Sequence, residues 1–169
     1  MQTDLGEIEI EIDSTHAPGT AANFLKYVDA GLYDGGLFHR TVRPDNQREK
    51  RVKIAVIQGA ANASRTSEFS SPIALERTNK TGLAHKDGTI SMARDGPDTV
   101  TDEFFICVGD QPELDFGGKR NPDGQGFAAF GRVVRGMEVV RRIQESPAQV
   151  ETLRPPVKIQ RVRRSAGAL

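Results

Sequence analysis

The sequence predicts a mainly β fold, a closed antiparallel β-barrel with helices over its ends. About seven or eight segments carry strand patterns, whereas two segments far apart in the chain carry helical patterns. Strands that do not alternate with helices argue against a parallel βαβ sheet. The length of 169 residues suffices for one well-buried core, and neither a linker nor an internal repeat divides it. We therefore expect a single domain over residues 1–169, with a frayed tail at 165–169.

The N-terminal part of the chain predicts a strand, a helix and two further strands. Isoleucines alternate with glutamates over residues 7–12, and a period of two indicates a strand with one buried face. Apolar residues at helical spacing follow, with Thr20 as the predicted helix cap and Gly31 as the predicted stop. The apolar segments at 35–42 (GGLFHRTV) and 54–60 (IAVIQGA) then predict strands.

The C-terminal part is also rich in strands. Residues 61–87 are mostly polar, and we expect a long, partly ordered connection there. A second helix is predicted over 137–146, because Val139, Val140 and Ile143 fall on one side after Gly136. Four strands are predicted in this part, at 88–94, 103–110, 127–134 and 155–165.

Composition argues against several classes of partner. The chain has 23 basic and 23 acidic residues, and this balance disfavours a general nucleic-acid binder. Cys107, the single cysteine, cannot form an internal disulfide, and its apolar neighbours indicate a core residue rather than a nucleophile. No stretch is long and apolar enough to predict a membrane span, and no signal-peptide pattern precedes the first strand. The expectation is a cytoplasmic protein, or a periplasmic one if a signal was removed ahead of Met1.

Motifs that carry familiar chemistry are missing from the sequence. There is no GxxxxGKS loop, no HExxH, no CxxC and no GxSxG. The histidines lie far apart, and we interpret them as surface or structural residues rather than ligands: His16, His39 and His85. The unusual residue is Arg40, which lies between apolar residues on a predicted strand. On spacing alone, a solvated face residue is the favoured interpretation.

Five motifs in order resemble one family. FHR, QGA, SMAR, EFFI and FAAFGRVVRGMEVV together are similar to the cyclophilins, from the LGEIEIEI strand to the VKIQRV strand. The chain looks most like the compact single-domain bacterial members. The resemblance implies an eight-stranded antiparallel barrel capped by two α-helices, and peptidyl-prolyl cis-trans isomerase activity. It also implies proline-containing peptides and unfolded segments as substrates, no cofactor or metal, and a monomer.

The resemblance assigns site residues position by position. The family's catalytic arginine follows Phe-His, which is Arg40 here. Gln58 matches the glutamine of the Gln-Gly-Gly motif, although the second glycine is Ala60. Phe105 matches the floor of the proline pocket. The other substrate-binding positions that the resemblance implies are Val56, Ala93, Arg94, Glu103, Leu114 and Phe127.

The implied chemistry agrees with the missing motifs. Resonance gives the Xaa-Pro amide a rotation barrier of about 18–20 kcal/mol. An arginine that donates a hydrogen bond toward the proline nitrogen weakens that resonance, while an apolar pocket holds the ring. Neither a nucleophile nor a metal is needed.

The alternative function is a proline-peptide-binding module or chaperone with little isomerase activity. Nucleic-acid binding through basic segments is the least favoured hypothesis.

Three positions depart from the family pattern. The segment between Arg40 and Gln58 is longer than usual, and its extra residues, 43–53, carry five basic residues against two acidic ones. We interpret them as a solvated surface hairpin, or else as a basic flap that helps select acidic partners. Ala55 stands where the family commonly has a pocket phenylalanine, so the pocket is either shallower or filled by a neighbour such as Phe127. Glu113 replaces a tryptophan of many eukaryotic members, so we expect weak or no cyclosporin binding.

Two further departures from the family pattern are charged residues, and we consider them together. Arg94 and Glu103 stand where many members have neutral amides, and both border the peptide groove if the fold carries over. They either form a compensating pair, or Glu103 orients Arg40. Two independent surface charges are the alternative. An exposed pair of this kind contributes only about 0–1 kcal/mol, so its role would be positioning.

Overall fold

The computed structural model describes residues 1–66 and 71–165. Within those ranges the strands are β1 (Gln2–Thr3), β2 (Gly6–Glu7), β3 (Glu9–Ile12), β4 (Leu37–Val42), β5 (Val56–Ala60), β6 (Thr89–Met92), β7 (Phe104–Cys107), β8 (Ala128–Arg135), β9 (Ala148–Gln149) and β10 (Thr152–Arg161). The helices are α1 (Pro18–Asp29), α2 (Thr78–Thr81) and α3 (Met137–Glu145). Pro112–Leu114 forms a 3-10 turn.

The strands form one sheet that nearly closes into a barrel. Their order is β2-β1-β10-β4-β5-β7-β6-β8-β3, and β9 pairs with β10 outside this path. Every pair of neighbours is antiparallel. The two ends of the order, β2 and β3, are separated in the chain only by Ile8. Residues 6–12 therefore act as one interrupted strand, the path counts as eight strands, and the predicted barrel is confirmed.

An aromatic cluster fills the inside of the barrel. Phe24 of α1 lies with its ring centre 5.0 Å from that of Tyr33 and 5.2 Å from that of Phe130. Phe104 of β7 adds an edge-to-face contact with Phe24 at 5.8 Å. The apolar side of α3 packs against the same core with Val139, Val140 and Ile143, as its sequence pattern predicts. Both long helices thus bury one face against the sheet.

The start of α1 differs from the prediction. The helix begins at Pro18 with Ala17 at the cap position, and Thr20 lies buried inside it. The carboxylate of Glu76 accepts the backbone N–H groups of Gly19 at 3.0 Å and Thr20 at 2.7 Å, and the Thr20 hydroxyl at 2.5 Å. A distant carboxylate therefore satisfies the free donors of the first turn, and it replaces the local cap that the sequence predicts.

The long polar connection also contains more structure than expected. The short helix α2 is a third helix, where the sequence predicts only two, and Ile73 pairs with Val100. Within this connection residues 67–70 lie outside the described residues, as do residues 166–169 of the expected tail. No helix of the described part of the chain is long and apolar enough to cross a membrane. Cys107 is buried as predicted, and burial raises the pKa of its thiol.

Candidate active site

A cavity of about 460 Å³ opens on the outer face of the barrel, beside β4, β5 and β7. Each site residue that the resemblance assigns lies in its lining: Arg40, Val56, Gln58, Ala93, Arg94, Glu103, Phe105, Leu114 and Phe127. The sequence motifs therefore converge on one place, although they are spread over most of the chain. Their roles in binding and catalysis stay a prediction.

Strand alternation explains why two adjacent phenylalanines serve different surfaces. Phe104 and Ile106 of β7 belong to the large core inside the barrel. Phe105 and Cys107 belong to a smaller apolar cluster on the other face, beneath the cavity. Successive side chains of a strand point to opposite faces, so the FFIC segment supplies both surfaces at once.

A bulge in β4 places Arg40 in the cavity. Phe38 pairs with Gly59, but Arg40 pairs with Gln58, so His39 is an extra residue in the ladder. In a regular strand Phe38 and Arg40 would share a face, and Arg40 would point into the core. The bulge reverses the alternation, so Phe38 stays inside while Arg40 emerges beside Gln58.

Two neighbours hold the guanidinium of Arg40. Its Nε donates to Glu151 Oε2 at 2.8 Å, and its Nη2 lies 2.6 Å from the same oxygen. Its Nη1 donates to Gln58 Oε1 at 2.9 Å. The side chain is still 35% exposed, and a guanidinium carries five N–H donors, so further N–H groups remain for a ligand in the cavity.

Glu103 acts on Arg40 through Gln58. Gln58 Nε2 donates to Glu103 Oε2 at 2.5 Å, while its carbonyl oxygen accepts the bond from Arg40. His39 Nε2 lies 3.4 Å from the same Glu103 oxygen, an ion-pair distance if the ring is protonated. Contact with the His39 side chain does most to lower the pKa of Glu103; burial opposes this shift, and Gln58 and Arg40 add to it. The predicted orientation of Arg40 by Glu103 is therefore present in an indirect form.

The predicted compensating pair of Arg94 with Glu103 is wrong. Arg94 binds Asp123 with two hydrogen bonds, from Nη1 to Oδ2 at 2.7 Å and from Nη2 to Oδ1 at 2.9 Å. Its Nε donates to the carbonyl of Gly126 at 2.8 Å, and its guanidinium lies 4.9 Å from the ring centre of Phe127. The folded loop after the 3-10 turn supplies these partners, and strand patterns give no information about that loop.

The floor of the cavity is apolar and aromatic. The rings of Phe105 and Phe127 meet edge to face with centres 5.5 Å apart. Ile54, which sequence reasoning missed, also lines the cavity, whereas Ala55 does not. The backbone N–H of Ala55 donates to Gln111 at 3.1 Å instead. Ile54 rather than Ala55 therefore supplies an apolar side chain to the lining.

His85 supports this floor from behind. It is buried, and its ring stacks on Phe105 with centres 5.9 Å apart and an interplanar angle of 15°. Its Nδ1 lies 2.7 Å from Asp115 Oδ1 and its Nε2 lies 2.9 Å from Ser91 Oγ, so both ring nitrogens have partners. The structural interpretation of this histidine agrees with its placement, but its spacing in the sequence contains no signal for the contact with Phe105.

The insertion at 43–53 does not form the expected hairpin. It contains turns but no strand, and buried Gln47 holds it together. Gln47 Nε2 donates to the carbonyls of Arg43 at 2.6 Å and Ile54 at 2.7 Å, and its Oε1 accepts Arg120 Nη1 at 2.6 Å. The segment is thereby fixed beside the cavity, and Lys50 lies in the cavity lining.

In the ranges 1–66 and 71–165, no group of three or more His, Cys, Asp or Glu side chains is placed to hold a metal ion. The polar groups around Arg40 are the carboxylate of Glu151, the amide of Gln58 and, behind it, the carboxylate of Glu103, and they border an apolar floor. Such a site can donate hydrogen bonds to a ligand held by its apolar part.

Known proteins are similar to this chain in sequence and in fold. A family model described as cyclophilin type peptidyl-prolyl cis-trans isomerase/CLD matches residues 1–164. A peptidyl-prolyl cis-trans isomerase of Acinetobacter baylyi is 35% identical over 165 residues, covering 94% of this chain and 80% of that protein. Peptidyl-prolyl cis-trans isomerase A of Dickeya dadantii is 35% identical over 156 residues, covering 92% and 74%. A Cryptosporidium parvum cyclophilin type isomerase, solved in the presence of the dipeptide Ala-Pro, has a TM-score of 0.76 at 20% identity and covers 97% of this chain and 96% of its own.

Proposed function

The chain belongs to the cyclophilin-type peptidyl-prolyl cis-trans isomerase family, and we propose that the cavity beside Arg40 is where it rotates Xaa-Pro bonds. One observation supports this assignment above the others. The bulge in β4 turns Arg40 toward the cavity. There its guanidinium retains N–H donors beside an apolar floor of Phe105, Leu114 and Phe127. An amide that is held by its proline ring on this floor lies within reach of a fixed cation.

The proposed reaction needs only binding and polarisation. The proline ring packs on Phe105 and Phe127 while the chain before it turns. Arg40 donates toward the proline nitrogen, whose lone pair becomes available as the amide twists out of plane. Since this bond is stronger in the twisted state than in the planar one, it lowers the barrier of about 18–20 kcal/mol. The peptide bond is neither broken nor formed.

The neighbours of Arg40 keep this donor in place before substrate arrives. Glu151 binds one edge of the guanidinium and Gln58 binds Nη1, so the remaining donors have a defined direction. Glu103 restrains Gln58 in turn. Donors that are oriented in advance need no reorganisation at the moment of reaction, which is the general reason that such sites accelerate reactions.

Proline-containing peptides and unfolded segments are the proposed substrates. The Cryptosporidium parvum relative was solved in the presence of a dipeptide that ends in proline, and that likeness in fold supports a proline-peptide site here. The open side of the cavity, with Thr99 and Thr101 in its lining, leaves room for residues that flank the proline.

The test is isomerisation of a short Xaa-Pro peptide by the wild type and by Arg40→Ala. We expect kcat/KM to fall by about 100-fold, the effect typical of removing one preorganised donor. Arg132→Ala is the matched control, because Arg132 is an exposed arginine of β8 that lies outside the cavity lining.

Wild-type activity that Arg40→Ala retains in full would contradict the assignment of the site. Peptide binding without acceleration would instead support the binding-module alternative. Arg40→Lys separates charge from geometry, since lysine keeps the charge but loses the planar set of donors.

A further inference from the structure

One end of the cavity is bordered by unusually concentrated positive charge. A second depression, of about 470 Å³, adjoins the catalytic cavity and shares Pro122 and two basic residues with it. Its lining takes residues from the insertion at 43–53 and from the loop after the 3-10 turn. We name the cations of this depression the basic rim: Lys50, Arg51, Lys119 and Arg120.

Hydrogen bonds that are not ion pairs fix the two loops of the basic rim. Arg120 Nη1 donates to Gln47 Oε1 at 2.6 Å and to the carbonyl of Val52 at 2.7 Å. The backbone N–H of Lys119 donates to Glu113 Oε2 at 2.7 Å, which positions the loop without engaging the Lys119 ammonium. These contacts fix where the cations lie, but they supply no carboxylate to the side chains themselves.

The basic rim lacks the ion pairs that other cations of this region have. Arg40 pairs with Glu151, Arg43 with Asp45, and Arg94 with Asp123. Among the described residues, no carboxylate forms an ion pair with a side chain of the basic rim. Burial lowers the pKa of Arg120, the charge of Arg40 lowers it further, and Glu151 only partly opposes them. In the described part of the chain, the cations of the basic rim therefore lie beside the substrate cavity without a carboxylate bound to their side chains.

The lining of the cavity also contains two carboxylates. Asp95 and Glu103, at the two ends of the connection between β6 and β7, both lie in its lining. Glu103 is occupied by Gln58 and lies near His39, but Asp95 has no ion pair among the described residues. A peptide in the cavity therefore meets the carboxylate of Asp95 as well as the cations of the basic rim.

We propose that the basic rim binds an Asp or Glu side chain of the substrate itself, on one side of the proline. The inference rests on the proposed function, because it needs the proline to occupy the apolar floor. Pro122 borders both depressions, so the two are continuous. An extended chain advances about 3.3–3.6 Å per residue, and we therefore place the acidic residue within about three positions of the substrate proline. Residues on the other side of the proline lie away from this depression, so no such preference is expected there.

The experiment compares peptides that differ at one flanking position. The wild type is assayed first on an all-alanine Xaa-Pro peptide, and then on peptides with Glu or Lys at each of three positions before and after the proline. We expect kcat/KM to favour Glu over Lys by about fivefold on one side only, the factor that corresponds to the upper end of the range for one exposed ion pair.

Charge-removing variants locate the effect. Lys50→Gln/Arg51→Gln is expected to bring the Glu-to-Lys ratio close to one, and Lys119→Gln to reduce it partly. The matched control, Lys53→Gln/Lys158→Gln, removes the same number of charges from exposed lysines that line neither depression. Its ratio is expected to equal that of the wild type. An equal ratio on both sides of the proline, or a ratio that the control also lowers, would overturn the inference in favour of long-range attraction.

Failure of the inference and failure of the proposed function give different results. If the all-alanine peptide is not accelerated, the proposed function fails, and the Kd values of the Glu and Lys peptides then test the basic rim alone. If that peptide is accelerated and no Glu preference exists in rate or Kd, only the inference fails.

Binding of a single-stranded oligonucleotide tests the alternative ligand of the basic rim. Tight, salt-sensitive binding that the rim variants abolish, without a Glu preference, would assign the rim to nucleic-acid phosphates instead.

Discussion

The inner and outer faces of the same strands carry two apolar clusters with different designs. The inner cluster, inside the barrel, contains Phe38, Ile57, Phe104 and Ile106 and is covered by the helices. The outer cluster, beneath the cavity, contains residues of the same three strands, but Arg40 and its partners border it instead of a helix: Val42, Val56, Phe105 and Cys107.

Phe104 and Phe105 show what this difference means. The ring of Phe104 makes edge-to-face contacts with Tyr33 at 5.5 Å and Phe38 at 5.6 Å, and a Cβ on Gly59 would lie only 2.9 Å from it. The inner cluster thus leaves no spare volume. The ring of Phe105 is also largely buried, stacked on His85 and edge to face with Phe127, but unlike Phe104 it lines the cavity. The inner face is packed only against other core residues, whereas the outer face borders space that a ligand can enter.

The largest expected effect is on the inner face. Phe104→Ala should lower the free energy of unfolding by about 3–5 kcal/mol, because it removes a fully buried ring from a close-packed cluster. Urea denaturation followed by circular dichroism measures this change. A loss below that of the outer-face variant Phe105→Ala would break the distinction between the two clusters.

Phe105→Ala should affect function more than stability. It removes much of the surface on which we propose that the proline ring packs, so kcat/KM should fall by about 10- to 100-fold, as expected for one buried aromatic contact. Its unfolding free energy should fall less than that of Phe104→Ala, since the vacated space opens to water. The rate is measured at a temperature where both proteins are folded. Unchanged kcat/KM in folded Phe105→Ala would show that the outer cluster is ordinary core.

The smallest expected effect concerns the ion pair of Arg94 with Asp123, which borders the outer cluster. A double-mutant cycle with Arg94→Asn and Asp123→Asn should give a coupling of about 0.5–1 kcal/mol in unfolding free energy. The same cycle with Arg94→Asn and Glu103→Gln should give none, because these two side chains have separate partners.

The coupling should also depend on pH. The hydrogen bonds from Arg94 do most to lower the pKa of Asp123. The folded state therefore favours the ionised carboxylate, and its contribution is present at neutral pH and lost as the pH falls through the lowered value. A coupling that survives below that range, or a larger one between Arg94 and Glu103, would contradict the observed pairing.

Short motifs predicted most of the candidate site, for an identifiable reason. Phe-His-Arg, Gln-Gly-Ala and Phe-Phe lie on adjacent strands, where pairing fixes neighbours to within one residue. The resemblance that these motifs carry assigned Arg40, Gln58 and Phe105 to one site, and the pairing of the strands is what brings them together. Charged residues in loops gave no comparable constraint, and so the pair of Arg94 with Glu103 was wrong while Asp123 and Glu151 were missed.

The main strands, the two long helices and the buried cysteine could be predicted from the sequence alone, because period-two and helical patterns act over short stretches of chain. The residues that meet at the cavity were assigned by the resemblance to the cyclophilins. Only the tertiary structure decided on which face Arg40 emerges, since one extra residue at His39 reverses a strand that reads as regular. It also decided that Glu76 caps α1 and that two loops bring four cations to one end of the cavity. Those contacts depend on closure of the barrel, which joins segments that no local pattern relates.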